Sequence, residues 1–161
     1  MVLLLIVASM VAPRMASFFQ GRALSSEAQR LLSLMHYAQS RAVAEGSPVI
    51  LWLDPAKSTY GLEVQTGHES ADEHRDLAYT ADPTVTFEVP TVTAAPVSED
   101  GDETFGLPEG LPSIRFNPDG NFDDVSVGRI ILRQGTQGAL ELAPKANRLS
   151  YEIRPVAPQP Q

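Results

Sequence analysis

Residues able to do chemistry are few in this sequence, and they fall in two polar segments. In the first, His68 and His74 lie among Glu69, Asp72 and Glu73, side chains that can ligate a metal. A spacing of six residues between the histidines matches neither the i, i+4 pair of a helical zinc site nor the ligand spacing of a zinc finger. The segment therefore predicts a solvated loop and no metal centre.

The second segment, residues 117–124, carries five Asn and Asp side chains and resembles a calcium-binding loop in composition. Its glycine, Gly120, comes too early for such a loop, and no glutamate occupies the closing position. Pro118 suits the first central position of a β-turn, and Gly120 suits a left-handed position. We therefore expect a β-turn with an acidic rim.

The remaining signatures of catalysis are missing from the sequence. It has no nucleophile elbow, no glycine loop that could cradle a phosphate and no plausible Ser-His-Asp order for a catalytic triad. It also has no cysteine, which excludes disulfides and thiolate metal sites. The sequence predicts a protein that is not an enzyme and that uses no cofactor, no metal and no small-molecule substrate.

Charge is distributed unevenly along the 161 residues. The net charge is −8, yet residues 66–110 carry eleven acids and a single base, Arg75. From Ser113 to the C-terminus, six basic residues face five acids. Because phosphate neutralisation supplies most non-specific affinity for DNA, this balance predicts no nucleic-acid binding.

The elements that organise the chain begin with an apolar segment over residues 1–20. Its run VLLLIVASMVA has no charge, but eleven helical residues cover only about 16 Å of a hydrocarbon core of roughly 30 Å. No basic region precedes it, as a signal peptide would require. We expect an incomplete membrane and assembly helix, formed by Leu3, Leu4, Leu5, Ile6, Val7, Met10, Val11, Phe18 and Phe19.

An amphipathic helix is predicted to follow over residues 21–46. Leu24, Leu31, Met35 and Ala38 lie on one stripe, whose steps of three and four residues place them against a sheet. Gly46 and Pro48 predict that the helix ends near Glu45. Because no turn signal separates the two segments, we expect one long N-terminal helix from Val2.

Residues 47–154 predict a β domain. Alternating apolar residues indicate strands over 49–53, 59–65, 84–89, 114–116, 125–133, 140–142 and 149–153, with Gly128 as a bulge in the fifth. Residues 66–82 and 90–112 predict exposed loops, and residues 155–161 a disordered tail. The expected fold class is α+β, a long helix packed on antiparallel sheet.

Two stretches resemble a known family. RALSSEAQRLLSLMHYAQSRAVAEGSPVILW, over residues 22–52, and IRFNPDGNF, over residues 114–122, are similar to the H-type minor pseudopilins of type II secretion (GspH) and to their FimT relatives. That family begins with a basic leader, a processing site and a helix glutamate. None of them is present here, so we expect a truncated N-terminus.

The resemblance implies a pilin-like fold and a structural subunit of a type II secretion pseudopilus. Its expected partners are other pseudopilin subunits and inner-membrane lipid, and its expected location is a single pass of the inner membrane with the β domain in the periplasm. Two alternatives remain open. One is a FimT-like minor pilin that binds DNA during uptake, and the other is a membrane-tethered binding domain of the envelope that forms no filament.

Overall fold

One helix begins the chain and runs without interruption into the domain. The structure is a computed structural model that describes residues 2–64, 77–89, 111–123, 126–135, 138–147 and 149–156, and over 2–20 the backbone alone. Helix α1 spans Val2–Glu45, 44 residues. It stops at Gly46, whose φ of 65° is the left-handed conformation that commonly closes a helix. The predicted single helix and its end are confirmed.

After the helix, the part of the chain that the structure describes forms eight strands in two four-stranded sheets. They are β1 (Val49–Asp54), β2 (Thr59–Val64), β3 (Leu77–Thr80), β4 (Thr86–Glu88), β5 (Ser113–Phe116), β6 (Ile130–Gln134), β7 (Gly138–Pro144) and β8 (Tyr151–Pro155). Sheet A has the order β3-β2-β1-β5, and sheet B has the order β4-β6-β7-β8. Every pair of neighbouring strands is antiparallel, which confirms the predicted fold class.

Both sheets and the helix share a single core. Leu24, Leu31, Met35 and Ala38 are at most 5% exposed and belong to the same cluster of buried side chains as residues of sheet A and sheet B. Helix α1 contacts strands of both sheets, among them β1 and β7. The apolar stripe of α1 therefore packs against both sheets. The sequence had predicted only that it packs against a sheet.

The hairpin β1–β2 holds a close contact on the outer face of sheet A. Gly61 pairs with Trp52, and a Cβ atom added to Gly61 would lie 2.5 Å from the Trp52 indole and 2.3 Å from the carbonyl oxygen of Leu77. Only a residue without a side chain fits between the indole and the neighbouring strand.

The prediction of an exposed loop over residues 66–82 is wrong at Leu77–Thr80, which form strand β3. Tyr79 pairs with Tyr60 and Leu77 pairs with Leu62, so two alternating residues are enough to extend sheet A. The reason is tertiary, because the existing β2 edge supplies the hydrogen-bonding partner that so short a segment needs. The rest of the predicted loop, including His68 and His74, lies outside the described residues.

Strand β6 begins later than predicted, at Ile130 instead of Val125. The preceding residues bond to β5, since the Val127 amide donates to the Ser113 carbonyl at 3.1 Å and the Arg115 amide donates to the Ser126 hydroxyl at 3.0 Å. Gly128 is exposed and lies before the strand, so it is not a bulge within it. The chain first bonds to sheet A here and only then enters sheet B.

The C-terminal strand is also displaced from its prediction. Leu149 lies outside β8 and is 48% exposed, whereas Pro155, assigned to the tail, ends β8 opposite Leu140. Residues 157–161 of the predicted tail, and residues 90–110 of the second predicted loop, lie outside the described residues.

Candidate functional site: a tyrosine-lined groove beside the helix

The acidic side chains of the polar turn at residues 117–123 accept hydrogen bonds from other residues of the same turn. The Asp119 carboxylate accepts hydrogen bonds from the amide and the side chain of Asn121, both at 2.9 Å, and these bonds lower the pKa of Asp119. Asn117 donates to Asp123 at 2.5 Å. Gly120 has a φ of 82°, as the turn prediction requires. Among the described residues, no group of three or more His, Asp and Glu side chains could hold a metal ion.

The turn is tied to the helix by one amide side chain. The Gln39 amide donates to the carbonyl oxygens of Gly120 and Leu149, each at 2.6 Å. Gly120 belongs to the turn after β5, and Leu149 precedes β8, so a single helical residue holds segments that flank different sheets. Gln39 was not predicted as a functional residue from the sequence, where its position next to Ala38 on the apolar stripe is the only signal for it.

A groove opens between the helix and sheet A. Its volume is about 310 Å³, and its walls are mostly apolar. Seven residues line it: Arg30, Ser33, Leu34 and Tyr37 from α1, Tyr60 from β2, and Leu77 and Tyr79 from β3. Tyr37 is 50% exposed, which makes it one of the most exposed large apolar residues that the structure describes.

A buried carboxylate lies behind this groove. Glu27 is only 5% exposed, and its carboxylate accepts a hydrogen bond from the Tyr60 hydroxyl at 2.6 Å. Burial, together with this hydrogen bond and the charge of Glu27, raises the pKa of Tyr60 well above its ordinary value of 10.0. Tyr60 therefore stays a neutral donor throughout the physiological range of pH.

Arg30 connects the carboxylate to the groove. Its guanidinium lies 4.0 Å from Glu27 and 4.7 Å above the centre of the Tyr79 ring, a cation–π geometry. The Tyr60 ring in turn packs on Tyr79 and Phe87, with centroid distances of 5.9 and 5.7 Å. The network thus joins the helix to both sheets, since Phe87 belongs to β4.

Glu27 was not singled out from the sequence, although a signal existed. It stands three residues after Leu24 and four before Leu31, which places it on the apolar stripe. A charged residue on an apolar stripe needs a buried partner. That partner, Tyr60, is 33 positions away along the chain, so the pairing itself is a tertiary feature.

The predicted site residues divide into two groups. The four core residues Leu24, Leu31, Met35 and Ala38 lie on the buried face of α1. The predicted membrane and assembly residues, Leu3 to Phe19, lie on the helical backbone of α1, but their side chains are outside the described part of the chain. Among the residues described in full, no helix is long and apolar enough to cross a membrane.

Each arginine of the β domain that the structure describes lies close to a carboxylate. Arg129 lies 3.1 Å from Glu141, Arg133 donates to Glu88 at 2.5 Å, and Arg154 donates to Glu152 at 2.6 Å. Arg115 lies 3.7 Å from Asp123. Arg148 is outside the described residues.

Comparison with solved structures shows which proteins share this architecture. The type IV minor pilin FimU of Pseudomonas aeruginosa aligns with a TM-score of 0.57 and 17% identity, over 88% of this chain and 97% of that one. The minor pseudopilin EpsH from the type II secretion system of Vibrio cholerae aligns with a TM-score of 0.54 and 12% identity, over 87% of this chain and 97% of that one. Likenesses at such low identity establish the fold alone.

Comparison by sequence supplies the family. No curated protein matches the chain. The model of the family described as Type II transport protein GspH matches residues 27–154, which include α1 from Glu27 onward and all of the β domain up to Arg154 in β8. The chain therefore belongs to the GspH family, and it is a pilin-like structural subunit of the type II secretion pseudopilus and not an enzyme.

Proposed function

We propose that residues 2–20 hold this subunit in the inner membrane in a single pass before assembly and pack among the helices of neighbouring pseudopilin subunits afterwards. The β domain then lies in the periplasm. The observation that carries this proposal is the uninterrupted helix α1, whose first residue in the described core is Leu24.

The length of the helix supports the proposal. At about 1.5 Å per residue, 44 residues extend for about 66 Å, roughly twice the diameter of a small domain. The buried stripe starts at Leu24, so the preceding 22 helical residues, Val2 to Ala23, make up about half of this length. Their sequence is the most apolar of the chain, and such a surface needs lipid or other helices around it.

Membrane attachment is tested by comparing the full chain with the fragment 21–161. We expect the full chain to stay with membranes during extraction at alkaline pH, and the fragment to be soluble and to unfold cooperatively. A fragment without cooperative unfolding would show that residues 1–20 contribute to the core and would contradict the division proposed here.

Assembly is tested by cysteine crosslinking, for which the cysteine-free chain is a clean background. We expect Leu4→Cys and Ala16→Cys to crosslink with cysteines in the helices of other pseudopilin subunits. Lys57→Cys is the control, because the Lys57 side chain is 77% exposed on the hairpin turn of β1 and β2. Equal crosslinking from all three positions would refute helix-mediated assembly.

The alternative of DNA binding finds little support in the charges. A protein that binds DNA neutralises phosphates with its Lys and Arg side chains, but Arg129, Arg133 and Arg154 each contact a carboxylate. We therefore expect no duplex binding in gel-shift titrations at micromolar protein and physiological salt. Salt-sensitive binding that is weakened by Arg148→Ala and Arg154→Ala would favour DNA uptake instead.

A further inference from the structure

The groove between α1 and β3 has the dimensions and walls of a ligand site. Its volume of about 310 Å³ lies at the lower end of the range for binding pockets. Arg30, Ser33, Leu34 and Tyr37 follow an i, i+3, i+4, i+7 spacing, so the helix presents one continuous face to the groove. The opposite wall is formed by Tyr60 of β2 and by Leu77 and Tyr79 of β3.

Strand β3 is the last strand of sheet A among the described residues, so one of its backbone edges faces no neighbouring strand there. Leu77 and Tyr79 point into the groove, whereas Ala78 and Thr80 are exposed. An open edge of this kind accepts an added strand, and the alternate side chains of that strand fall on the groove side. Peptide-binding domains use the same combination of edge strand and side-chain pocket.

The positive charge of Arg30 in the groove favours a partner that carries a carboxylate. The Arg30 side chain is 47% exposed and stacks on Tyr79, and its distance of 4.0 Å from Glu27 is too long for a hydrogen bond. The Glu27 carboxylate instead accepts a hydrogen bond from Tyr60. The Arg30 guanidinium therefore keeps donors for an incoming carboxylate, in a site whose other lining residues, apart from Ser33, are apolar or aromatic.

We propose that this groove binds an extended segment of another polypeptide, in which an acidic residue neighbours an aromatic or aliphatic one. The segment adds as a strand along β3. Its apolar side chain packs against Leu34, Tyr37 and Tyr79, and its carboxylate pairs with Arg30. This docking does not depend on how residues 2–20 are anchored, so either proposal can fail without the other.

The test uses the full chain in non-ionic detergent and two end-blocked, fluorescently labelled octapeptides. Both peptides alternate valine and threonine around a central phenylalanine, and they differ only in whether glutamate or lysine flanks it. We expect saturable binding of the glutamate peptide in fluorescence anisotropy and none of the lysine peptide at the same concentrations.

Two variants locate the binding. We expect Arg30→Glu to weaken the glutamate peptide by at least about tenfold. Lys57→Glu makes the same charge reversal on an exposed turn that is not part of the groove lining, and we expect no change. The thermal unfolding of each variant, followed by circular dichroism, shows that the fold is intact.

Hydrogen exchange tests strand addition directly. Bound peptide should slow exchange of those amides of residues 77–80 that do not already donate to β2, and it should not slow those of β8, at the far edge of sheet B. The proposal is overturned if the glutamate peptide does not saturate by about 1 mM, if Lys57→Glu weakens its binding as much as Arg30→Glu, or if the β3 amides that do not pair with β2 are already protected without peptide. The last result would show that another part of this chain covers the groove.

Discussion

Removal of the Tyr60 hydroxyl is the sharpest test of the buried network. The hydroxyl donates to Glu27 at 2.6 Å, and Tyr60 and Glu27 are 0% and 5% exposed. In Tyr60→Phe the carboxylate stays buried without this donor, and Arg30 at 4.0 Å is too far away to replace it with a hydrogen bond. A hydrogen bond to a charged group contributes about 1.5–3 kcal/mol, so we expect the free energy of unfolding to fall by about 2 kcal/mol.

The double variant Glu27→Leu with Tyr60→Phe carries the argument further. It removes both polar partners and replaces them with apolar groups, an exchange that can be nearly neutral. We therefore expect the double variant to unfold within about 1 kcal/mol of the original chain, and to be more stable than Tyr60→Phe alone. The double variant would then lose less stability than Tyr60→Phe alone, because Glu27→Leu removes the buried carboxylate that Tyr60→Phe leaves without a hydrogen-bond donor.

Equilibrium unfolding in urea measures these differences. Trp52 is the only tryptophan and packs over Gly61, so its fluorescence reports on sheet A, while far-ultraviolet circular dichroism reports on the helix. Tyr79→Phe is the matched control, since Tyr79 belongs to the same ring cluster but is only partly buried, and it should change stability by about 0.5 kcal/mol or less. If the double variant lost at least as much stability as Tyr60→Phe and Glu27→Leu lose in sum, the buried Glu27 carboxylate would not depend on the Tyr60 hydroxyl.

Three further predictions follow from the same packing. Leu31→Ala should cost about 2–5 kcal/mol in urea unfolding because Leu31 is fully buried, and the half-buried Leu32 should cost less when truncated in the same way; equal costs would contradict the assigned helix face. Gly61→Ala should lower the free energy of unfolding by about 1–3 kcal/mol and change the Trp52 fluorescence, because the added methyl group would collide with the indole and with the backbone of β3. The control Gly128→Ala places its methyl group in open space and should lower it by about 0.5 kcal/mol or less. The pKa of Tyr60 is raised in the folded state, so its contribution to stability is complete below the ordinary pKa near 10.0 and is lost as pH rises toward the folded value. Between pH 9 and 11, the free energy of unfolding should therefore decline less steeply in Tyr60→Phe than in the original chain.

Sequence alone determined the elements that depend on local rules. The end of α1 follows from Gly46, because a glycine adopts the left-handed conformation at little cost. The turn at residues 117–120 follows from Pro118 and Gly120 in the same way. The buried stripe of α1 follows from helical periodicity, since residues three and four apart share a face. Each of these features depends on residues of one turn or one helix, so a single sequence is enough to predict it.

Tertiary structure decided the features that join distant segments. Strand β3 exists because the β2 edge pairs with it, although its own four residues indicate no strand. Residues 126 and 127 bond to β5 before the chain enters sheet B, which moves the start of β6. The groove draws its walls from α1, β2 and β3, and the partner of Glu27 lies 33 residues away. Periodicity places a side chain on a face of its own element, but it does not specify which other element will face it, because that depends on how the whole core packs.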